Sequence, residues 1–291
     1  MHPPVQREYP SKPEAVYFYG TCLVDTFFPQ SGLAAVELIE REGVQVIFPQ
    51  EQTCCGQPPF NSGYRREARA VARKQLALFP ADIPVVVPSG SCGAMLRVHY
   101  PGLFAGEPEV GAAEALASRV YEWSDFMVQV LRVKLADRGV PLKVAYHPSC
   151  HMLREMGVRD APQSLLRQLK QVEVLPLANQ EECCGFGGAF SVKMGDVSRA
   201  MVADKCQAVR QSGADLLLSM DAGCLINIGG ALDRLDGALD KTKHTGSEGN
   251  AKGPSWMPLP LFIKQRVTGG AQAEGGTPVE GESDPGGGHA A

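Results

Sequence analysis

Short apolar runs alternate with longer amphipathic stretches through most of the chain. The run Ala15–Tyr19 is aromatic and β-branched, which predicts a buried strand. Residues 31–42 then place apolar side chains on one helical face and charged side chains on the other, and Gly43 supplies a C-cap. The same patterns predict further elements in the first half: a strand at Val44–Phe48, a helix at 64–79, a strand at Pro84–Val87 and a longer helix at 113–138.

The alternation restarts after residue 140. It predicts strands at Lys143–Tyr146, Val172–Leu175 and Asp215–Ser219, and helices at 160–170 and 196–212. Strands that alternate with helices are typical of a parallel sheet with crossover helices. We therefore predict an α/β fold with two tandem, pseudo-symmetric lobes, each a small parallel sheet with crossover helices.

The segments outside this pattern define the expected domain organisation. Residues 1–13 are polar and proline-containing, which predicts a loose N-terminal arm before a first lobe at 14–138. The second lobe is predicted at 140–267, with an exposed insertion at 237–255 and a last helix around Leu259–Val267 that matches the long helix of the first lobe. The tail 268–291 is rich in Gly, Pro, Glu and Ala, and its composition predicts disorder.

Eight of the nine cysteines form two sets with similar spacing. The first set is Cys22, Cys54, Cys55 and Cys92, and the second is Cys150, Cys183, Cys184 and Cys224. Each set contains an adjacent pair followed by glycine, and its members follow the carboxyl ends of predicted strands. Because these ends share one edge of a parallel sheet, we expect each set to converge. The offsets between matching cysteines indicate a duplication: 128 from Cys22 to Cys150, 129 from Cys54 to Cys183 and 132 from Cys92 to Cys224.

Charge and hydropathy restrict the class of protein. The net charge of −4 argues against a nucleic-acid partner, since there is no basic surplus to neutralise phosphates. The chain shows neither a signal-peptide h-region nor an apolar window of transmembrane length, so the expected compartment is the cytoplasm. Disulfides are rare there, and nine cysteines therefore indicate metal or redox chemistry.

Four thiolates per set could hold a structural zinc ion, but zinc sites usually contain compact C-x₂₋₄-C pairs and neither set has one. Two adjacent thiolates can bind different irons of one cluster, so the dispersed arrangement favours iron–sulfur ligation. The glycine after each pair removes a side chain where backbone approaches a bulky inorganic core. A zinc-binding or thiol-sensor regulatory module is the alternative from another functional class.

The doubled motif resembles the cysteine-rich CCG domain family, which is found in a subunit of heterodisulfide reductase and in iron–sulfur subunits of glycolate and glycerol-3-phosphate dehydrogenases. The resemblance covers residues 15–236. Flanking sequences are similar to a narrower group, the lactate utilization protein A family. These flanks are Thr21–Asp25, Gln52–Gln57, Asn61–Tyr64, Pro88–Cys92 and His147–His151.

This resemblance implies one or two iron–sulfur clusters per chain, of the [4Fe–4S] type, bound by the eight cysteines of the two sets. It further implies an electron-transfer subunit of a complex that oxidises L-lactate to pyruvate, with partners like lactate utilization proteins B and C, including a ferredoxin-type iron–sulfur protein. The alternatives are a subunit of another, glycolate-type 2-hydroxy-acid dehydrogenase or a heterodisulfide-reductase-like thiol redox protein. No catalytic residue is assigned.

The chain departs from the family motif at two positions. Ser89 and Asp221 stand where the family has the first cysteine of a C-x-x-C pair. Either residue could supply an oxygen ligand, although four cysteines suffice for a conventional four-iron cluster.

The sequence leaves the roles of three further residues open. Cys206 stands outside the repeat, and its helical spacing predicts a buried structural residue. His147 and His151 flank Cys150; they are either hydrogen-bond donors or proton carriers near a cluster, or purely structural residues.

Overall fold

The structure, a computed structural model, describes residues 7–235, 237 and 254–269 of the 291-residue chain. The predicted 268–291 tail, apart from its first two residues, and most of the predicted 237–255 insertion lie outside these residues. The first lobe contains, in chain order, β1 (Ala15–Phe18), α1 (Cys22–Phe27), α2 (Pro29–Glu40), β2 (Gln45–Ile47), α3 (Gln57–Asn61), α4 (Arg65–Leu76), β3 (Val85–Val87), α5 (Gly90–Ala94), α6 (Tyr100–Leu103), α7 (Val110–Ser118), β4 (Val120–Glu122) and α8 (Trp123–Asp125).

Two π-helical turns extend this list: Met95–His99 joins α5 to α6, and Phe126–Val130 continues α8. The second lobe contains β5 (Leu142–Tyr146), α9 (Cys150–Arg154), α10 (Ala161–Leu166), β6 (Val172–Leu175), α11 (Ala189–Lys193), α12 (Gly195–Ser212), β7 (Leu216–Ser219), α13 (Ala222–Leu235), β8 (Ser255–Pro258) and α14 (Leu259–Thr268).

Each lobe has a four-stranded sheet, and every described strand pairing is parallel. The strand orders are β2-β1-β3-β4 and β6-β5-β7-β8, so the two lobes share one topology. Central strands are apolar along their whole length, as in β3, where Val85, Val86 and Val87 are all fully buried. Such continuous runs are typical of parallel strands that are covered on both faces. The predicted α/β fold with two similar parallel-sheet lobes is confirmed.

The predicted long helix at 113–138 is wrong. Helix α7 ends at Ser118, and the chain then forms β4, whose Val120 and Tyr121 pair with β3. These two side chains are buried, and an apolar run of this length does not by itself distinguish a strand from a helical segment. Pairing with the open edge of β3 therefore decides the conformation. In the second lobe β8 occupies the corresponding position, and α14 covers the predicted Leu259–Val267 helix.

The last helix of each lobe packs against the other lobe. Helix α14 of the second lobe packs against α2 of the first, and α8 with its π-helical turn packs against α10. Lys264 on α14 forms an ion pair with Glu37 on α2 at 2.6 Å. A buried ion pair of 2.7 Å between Arg266 and Asp137 ties α14 to the segment that connects the lobes. One apolar cluster consequently extends across both lobes, and a second, smaller cluster lies within the second lobe.

The described part of the N-terminal arm contacts the first lobe. The Arg7 guanidinium lies 3.5 Å above the ring of Tyr121 and donates a hydrogen bond to the Val120 carbonyl at 2.6 Å. The hydroxyl of Tyr9 donates to the Asp125 carboxylate at 3.0 Å. Residues 7–13 have no regular secondary structure, but these contacts hold Arg7 and Tyr9 against β4 and α8.

Glu122 ends β4 as a fully buried carboxyl group. Its Oε2 accepts hydrogen bonds from the Asp125 N–H at 3.1 Å and from the Ser124 hydroxyl. Burial raises the pKa of Glu122 to about 8, although these hydrogen bonds act in the opposite direction. The folded protein therefore keeps a proton on this group at pH values where the unfolded chain has lost it.

We expect Glu122→Gln to reduce the loss of stability between pH 5.5 and 8.5. The raised pKa makes folding favour the protonated form, so the free energy of unfolding falls as pH rises from the ordinary value of 4.5 to about 8. The amide cannot ionise and removes this contribution. Thermal unfolding at the two pH values measures the effect, with Glu114→Gln on the exposed face of α7 as the matched control. Equal pH slopes for wild type and Glu122→Gln would contradict it.

Candidate metal centres

The first cysteine set converges at the carboxyl edge of the first sheet. Cys22 begins α1, Cys92 lies in α5, and Cys54 and Cys55 lie in the loop between β2 and α3. The Sγ atoms of Cys55 and Cys92 are 3.4 Å apart. Gly56 follows the pair with a φ of 85°, and its N–H donates to Cys54 Sγ at 3.4 Å.

The second set repeats this arrangement. Cys150 begins α9, Cys224 lies in α13, and Cys183 and Cys184 precede α11. The N–H of Gly185 donates to Cys183 Sγ at 3.4 Å, as Gly56 does in the first lobe. None of the eight cysteines in the two sets forms a disulfide.

The glycines after the pairs are required for a different reason from the one inferred from the sequence. Both have a positive φ, which L side chains rarely adopt. A Cβ on Gly185 would lie 2.9 Å from the Ser198 carbonyl oxygen of α12, and a Cβ on Gly56 would lie 3.2 Å from the Ala68 carbonyl oxygen of α4. The close approach is therefore to the crossover helix, not to the face that the sulfurs share.

Hydrogen bonds between thiols connect the sulfurs within each set. The hydrogen bond with Cys22, followed by that with Cys55 and by backbone N–H groups, lowers the pKa of Cys54. The pKa of Cys22 is raised because its thiol donates to Cys54 and is partly buried. In the second set the pKa of Cys183 is lowered and that of Cys150 is raised by the corresponding bonds. Each set thus favours a thiolate at the first cysteine of its adjacent pair.

His147 lies beside the second set, three positions before Cys150. Its side chain is fully buried, and neither Nδ1 nor Nε2 has a hydrogen-bond partner in the part of the chain that the structure describes. A ring nitrogen of His147 and the Sγ atoms of Cys184 and Cys224 all lie within 4.8 Å of one another. Burial, assisted by the positive charge of Lys205, lowers the pKa of His147 to about 3, so the ring is neutral.

His151 belongs to a network that joins the lobes. Its Nδ1 lies 3.5 Å from Cys150 Sγ, and its Nε2 lies 3.9 Å from an oxygen of Glu155. The other oxygen of Glu155 is 2.8 Å from Nε2 of His99 in the first lobe. Of the two histidines that flank Cys150, His151 therefore has polar partners, whereas the ring of His147 has only the cysteine set beside it among the described residues.

Ser89 and Asp221 meet across the lobe interface. Both side chains are buried, and the Ser89 hydroxyl donates to the Asp221 carboxylate at 3.2 Å. The same carboxylate accepts from the Ser91 hydroxyl at 2.8 Å and from the Ser91 N–H at 2.9 Å. The two positions that depart from the family motif thus hold the lobes together, and this engagement disfavours the alternative in which either residue is an oxygen ligand.

The two cysteine sets lie along this interface. Helix α5, which carries Cys92, packs directly on α9, which carries Cys150. The approach is so close that a Cβ on Gly90 would lie 2.5 Å from Cβ of Met152. On the other side of the interface, Lys193 lies 5.3 Å from the centre of the Tyr64 ring. Helices that carry one member of each set therefore contact each other at the interface between the lobes.

Polar residues that surround the sets differ between the lobes. Tyr19 occupies the position that corresponds to His147, and its hydroxyl donates to the Thr53 carbonyl at 2.8 Å. Gln75 on α4 corresponds to Lys205 on α12, and both side chains are buried. The Gln75 amide donates to the Thr53 hydroxyl at 2.8 Å, whereas the Lys205 ammonium donates to the Asn179 and Gln180 carbonyls.

Sequence reasoning missed Gln75 and Lys205. The available signal was a polar residue within the inward face of each crossover helix, next to Cys206 in the case of Lys205. Cys206 is fully buried on α12, as predicted, and its thiol donates to the Ile228 carbonyl at 3.7 Å.

Comparison with known proteins relates this geometry to a family. The model of the CCG cysteine-rich domain matches residues 16–97 and 144–229, and each region contains one complete cysteine set. The chain belongs to the cysteine-rich CCG domain family. Within this family it is similar to Lactate utilization protein A of Geobacillus kaustophilus (strain HTA426), with 48% identity over 221 residues, which cover 76% of this chain and 92% of that protein.

A second relative, Lactate utilization protein A of Shouchella clausii (strain KSM-K16), is 47% identical over 238 residues, covering 81% of this chain and 99% of that protein. The chain is therefore a member of the lactate utilization protein A group of the CCG family. A crystal structure of a hypothetical protein from Helicobacter pylori matches 90% of this chain with a TM-score of 0.54 and 13% identity. The chain spans 52% of that protein's length, and this likeness concerns the fold alone.

None of the helices in the described part of the chain combines the length and the apolar character needed to cross a bilayer.

Proposed function

We propose that this protein is an iron–sulfur electron-transfer subunit in the oxidation of L-lactate to pyruvate. The observation that carries the proposal is the convergence of four thiols within each lobe, beside the contact between the lobes. Membership of the CCG family and the names of the similar proteins support the choice of an iron–sulfur centre and of lactate.

The donor set fits an iron–sulfur centre. The first set offers Cys22, Cys54, Cys55 and Cys92, and the second offers Cys150, Cys183, Cys184 and Cys224. The buried members, such as Cys55 and Cys184, are each 2% exposed, whereas Cys54 and Cys183 are only half-buried. A cluster held there is shielded on one side and accessible on the other, which suits electron exchange with a docked protein.

The clusters, proposed as one [4Fe–4S] in each lobe, supply one-electron redox chemistry when bound. The chain's own residues ligate them, exclude water on the inner side and keep the lobes in register through Asp221 and Ser91. Lactate oxidation releases two electrons and two protons, so two one-electron centres accommodate one turnover. We assign the oxidation step itself to a partner chain, since the thiols of both sets serve in this proposal as ligands of electron-carrying centres.

The proposed partners resemble lactate utilization proteins B and C, of which one is a ferredoxin-type iron–sulfur protein. We place the complex in the cytoplasm, where the eight thiols stay reduced before cluster insertion. The need for an electron-donating partner distinguishes the proposal from its alternative, because a zinc-binding or thiol-sensor module needs no such partner.

Anaerobic purification of the full chain tests the proposal. We expect a brown protein with about eight irons and about eight acid-labile sulfides per chain and a paramagnetic signal on reduction. In the reconstituted complex, L-lactate should reduce these centres, and D-lactate serves as the control for substrate specificity. A colourless protein with stoichiometric zinc after anaerobic reconstitution would contradict the proposal, as would iron–sulfur centres that lactate and the partners never reduce.

A further inference from the structure

The imidazole of His147 is the buried polar group that the proposed cysteine ligation leaves unexplained. A buried nitrogen without a hydrogen bond costs free energy, and the great majority of such groups have a partner. Both ring nitrogens of His147 lack one among the described residues, although the side chain has no exposed surface. The surrounding structure therefore holds the ring in place for something other than a protein hydrogen bond.

The position of the His147 ring indicates a role at the second cysteine set. A ring nitrogen lies within 4.8 Å of Cys184 Sγ and Cys224 Sγ, the two most buried sulfurs of the second set. The backbone of His147 is fixed at the end of β5, where its N–H donates to the Leu218 carbonyl at 2.8 Å. Imidazole nitrogen and thiolate sulfur are both good ligands for iron and zinc.

The first lobe has no equivalent donor among its described residues. Tyr19 takes the corresponding place after β1, and its hydroxyl is engaged by the Thr53 carbonyl. The nearby amide of Gln75 is likewise bound to Thr53, which removes it from a ligand role. The two lobes share a topology and a cysteine pattern, but among the described residues only the second lobe places an unpartnered imidazole nitrogen beside its sulfurs.

We propose that His147 is a direct ligand of the metal centre in the second lobe, in place of one of the four thiolates there, so that the protein holds two centres with different ligand sets. This inference rests on the proposed function, since it requires a metal centre in the second lobe. An imidazole ligand carries no negative charge, and replacing thiolate by imidazole raises the reduction potential of an iron–sulfur centre. The buried ammonium of Lys205, where the first lobe has neutral Gln75, acts in the same direction.

The asymmetry gives electron flow a direction within the chain. The all-cysteine centre of the first lobe has the lower reduction potential and receives electrons first. The centre of the second lobe has the higher potential and is the exit towards the electron acceptor. The helices that carry Cys92 and Cys150, α5 and α9, contact each other and provide the connection between the two lobes for this transfer.

The test uses the full-length, anaerobically purified protein labelled with ¹⁵N-histidine. Pulsed electron paramagnetic resonance on the partly reduced sample should detect a strongly coupled histidine nitrogen on the centre with the higher reduction potential. The coupling should disappear in His147→Gln and persist in His99→Gln, a histidine of the inter-lobe network that is not a ligand in this proposal. In a redox titration, the two separate waves of the wild type should move closer together in His147→Gln, and the smaller difference that Lys205 causes should remain.

The outcomes separate this inference from the proposed function. Iron–sulfur centres without a directly bound histidine nitrogen in the labelled wild type overturn the inference and leave the function intact. A weak coupling typical of a hydrogen-bonded nitrogen, or a coupling that survives in His147→Gln, has the same consequence. A chain that binds no iron overturns both. Because the labelled wild type carries the decisive signal, the result does not depend on how well the variant folds.

Discussion

Cys55→Ser is expected to lose the metal centre of the first lobe and to retain that of the second, so that the iron content falls to about half. Cys55 is 2% exposed, and its sulfur lies 3.4 Å from that of Cys92, which places it at the inner side of the set. A serine hydroxyl is a harder, more weakly binding ligand for iron than thiolate. Iron and sulfide analysis and the visible absorbance of the anaerobic protein measure the loss.

Two further substitutions control this experiment. Cys184→Ser is the equivalent change in the second lobe and should remove the other centre. Cys206→Ser changes a cysteine that is fully buried on α12 and whose thiol contacts the Ile228 carbonyl, and it should retain both centres. Equal iron loss in Cys206→Ser and Cys55→Ser, or full iron content in Cys55→Ser, would show that the assigned ligand set is wrong.

Gly90→Ala is expected to destabilise the protein by about 1–3 kcal/mol, the usual range for overpacking a close contact. The added Cβ would lie 2.5 Å from Met152 Cβ, 2.8 Å from Ser149 Oγ and 2.9 Å from Met152 Cα, so that backbone must move. The movement separates α5 from α9 and disturbs both cysteine sets at once. Denaturant unfolding of the protein measures the change in the free energy of unfolding.

Gly111→Ala provides the matched control. Gly111 also lies in the first turn of a helix, α7, but nothing lies within 4 Å of the position of its Cβ. Alanine is the better helix former by up to about 1 kcal/mol, so this variant should be as stable as wild type or slightly more stable. Comparable destabilisation by the two substitutions would contradict the close inter-lobe approach at Gly90.

The interface beside Gly90 also contains Ser89 and Asp221, the two residues at which this chain departs from the family motif. Ser89 and Asp221 occupy corresponding positions in the two lobes, and their side chains bond to each other. The carboxylate of Asp221 additionally receives two hydrogen bonds from Ser91. The position at which the family motif has a further cysteine is here used to join the lobes, in keeping with the four cysteines of each set.

Much of the fold could be predicted because its determinants are local. Apolar runs of three to five residues followed by amphipathic stretches specify strands and crossover helices, and parallel strands then place their carboxyl ends at one edge. The predicted strand at Val172–Leu175 has the same bounds as β6. The region after α7 could not be predicted in this way, since Val120 and Tyr121 become a strand only through the open edge of β3.

The order of residues along the chain was sufficient to define the two cysteine sets, because the duplication repeats the spacing of the cysteines. Each set follows the carboxyl ends of parallel strands, and these ends lie close together at one edge of a sheet. The order of residues could not define the polar groups around the sets. Ser89 and Asp221 are far apart in sequence, and their bond exists only because the lobes pack face to face. The sequence likewise presents His147 simply as a histidine near a cysteine. Packing turned its ring towards Cys184 and Cys224 and removed every other partner among the described residues, since the direction of a buried side chain depends on all the elements that enclose it.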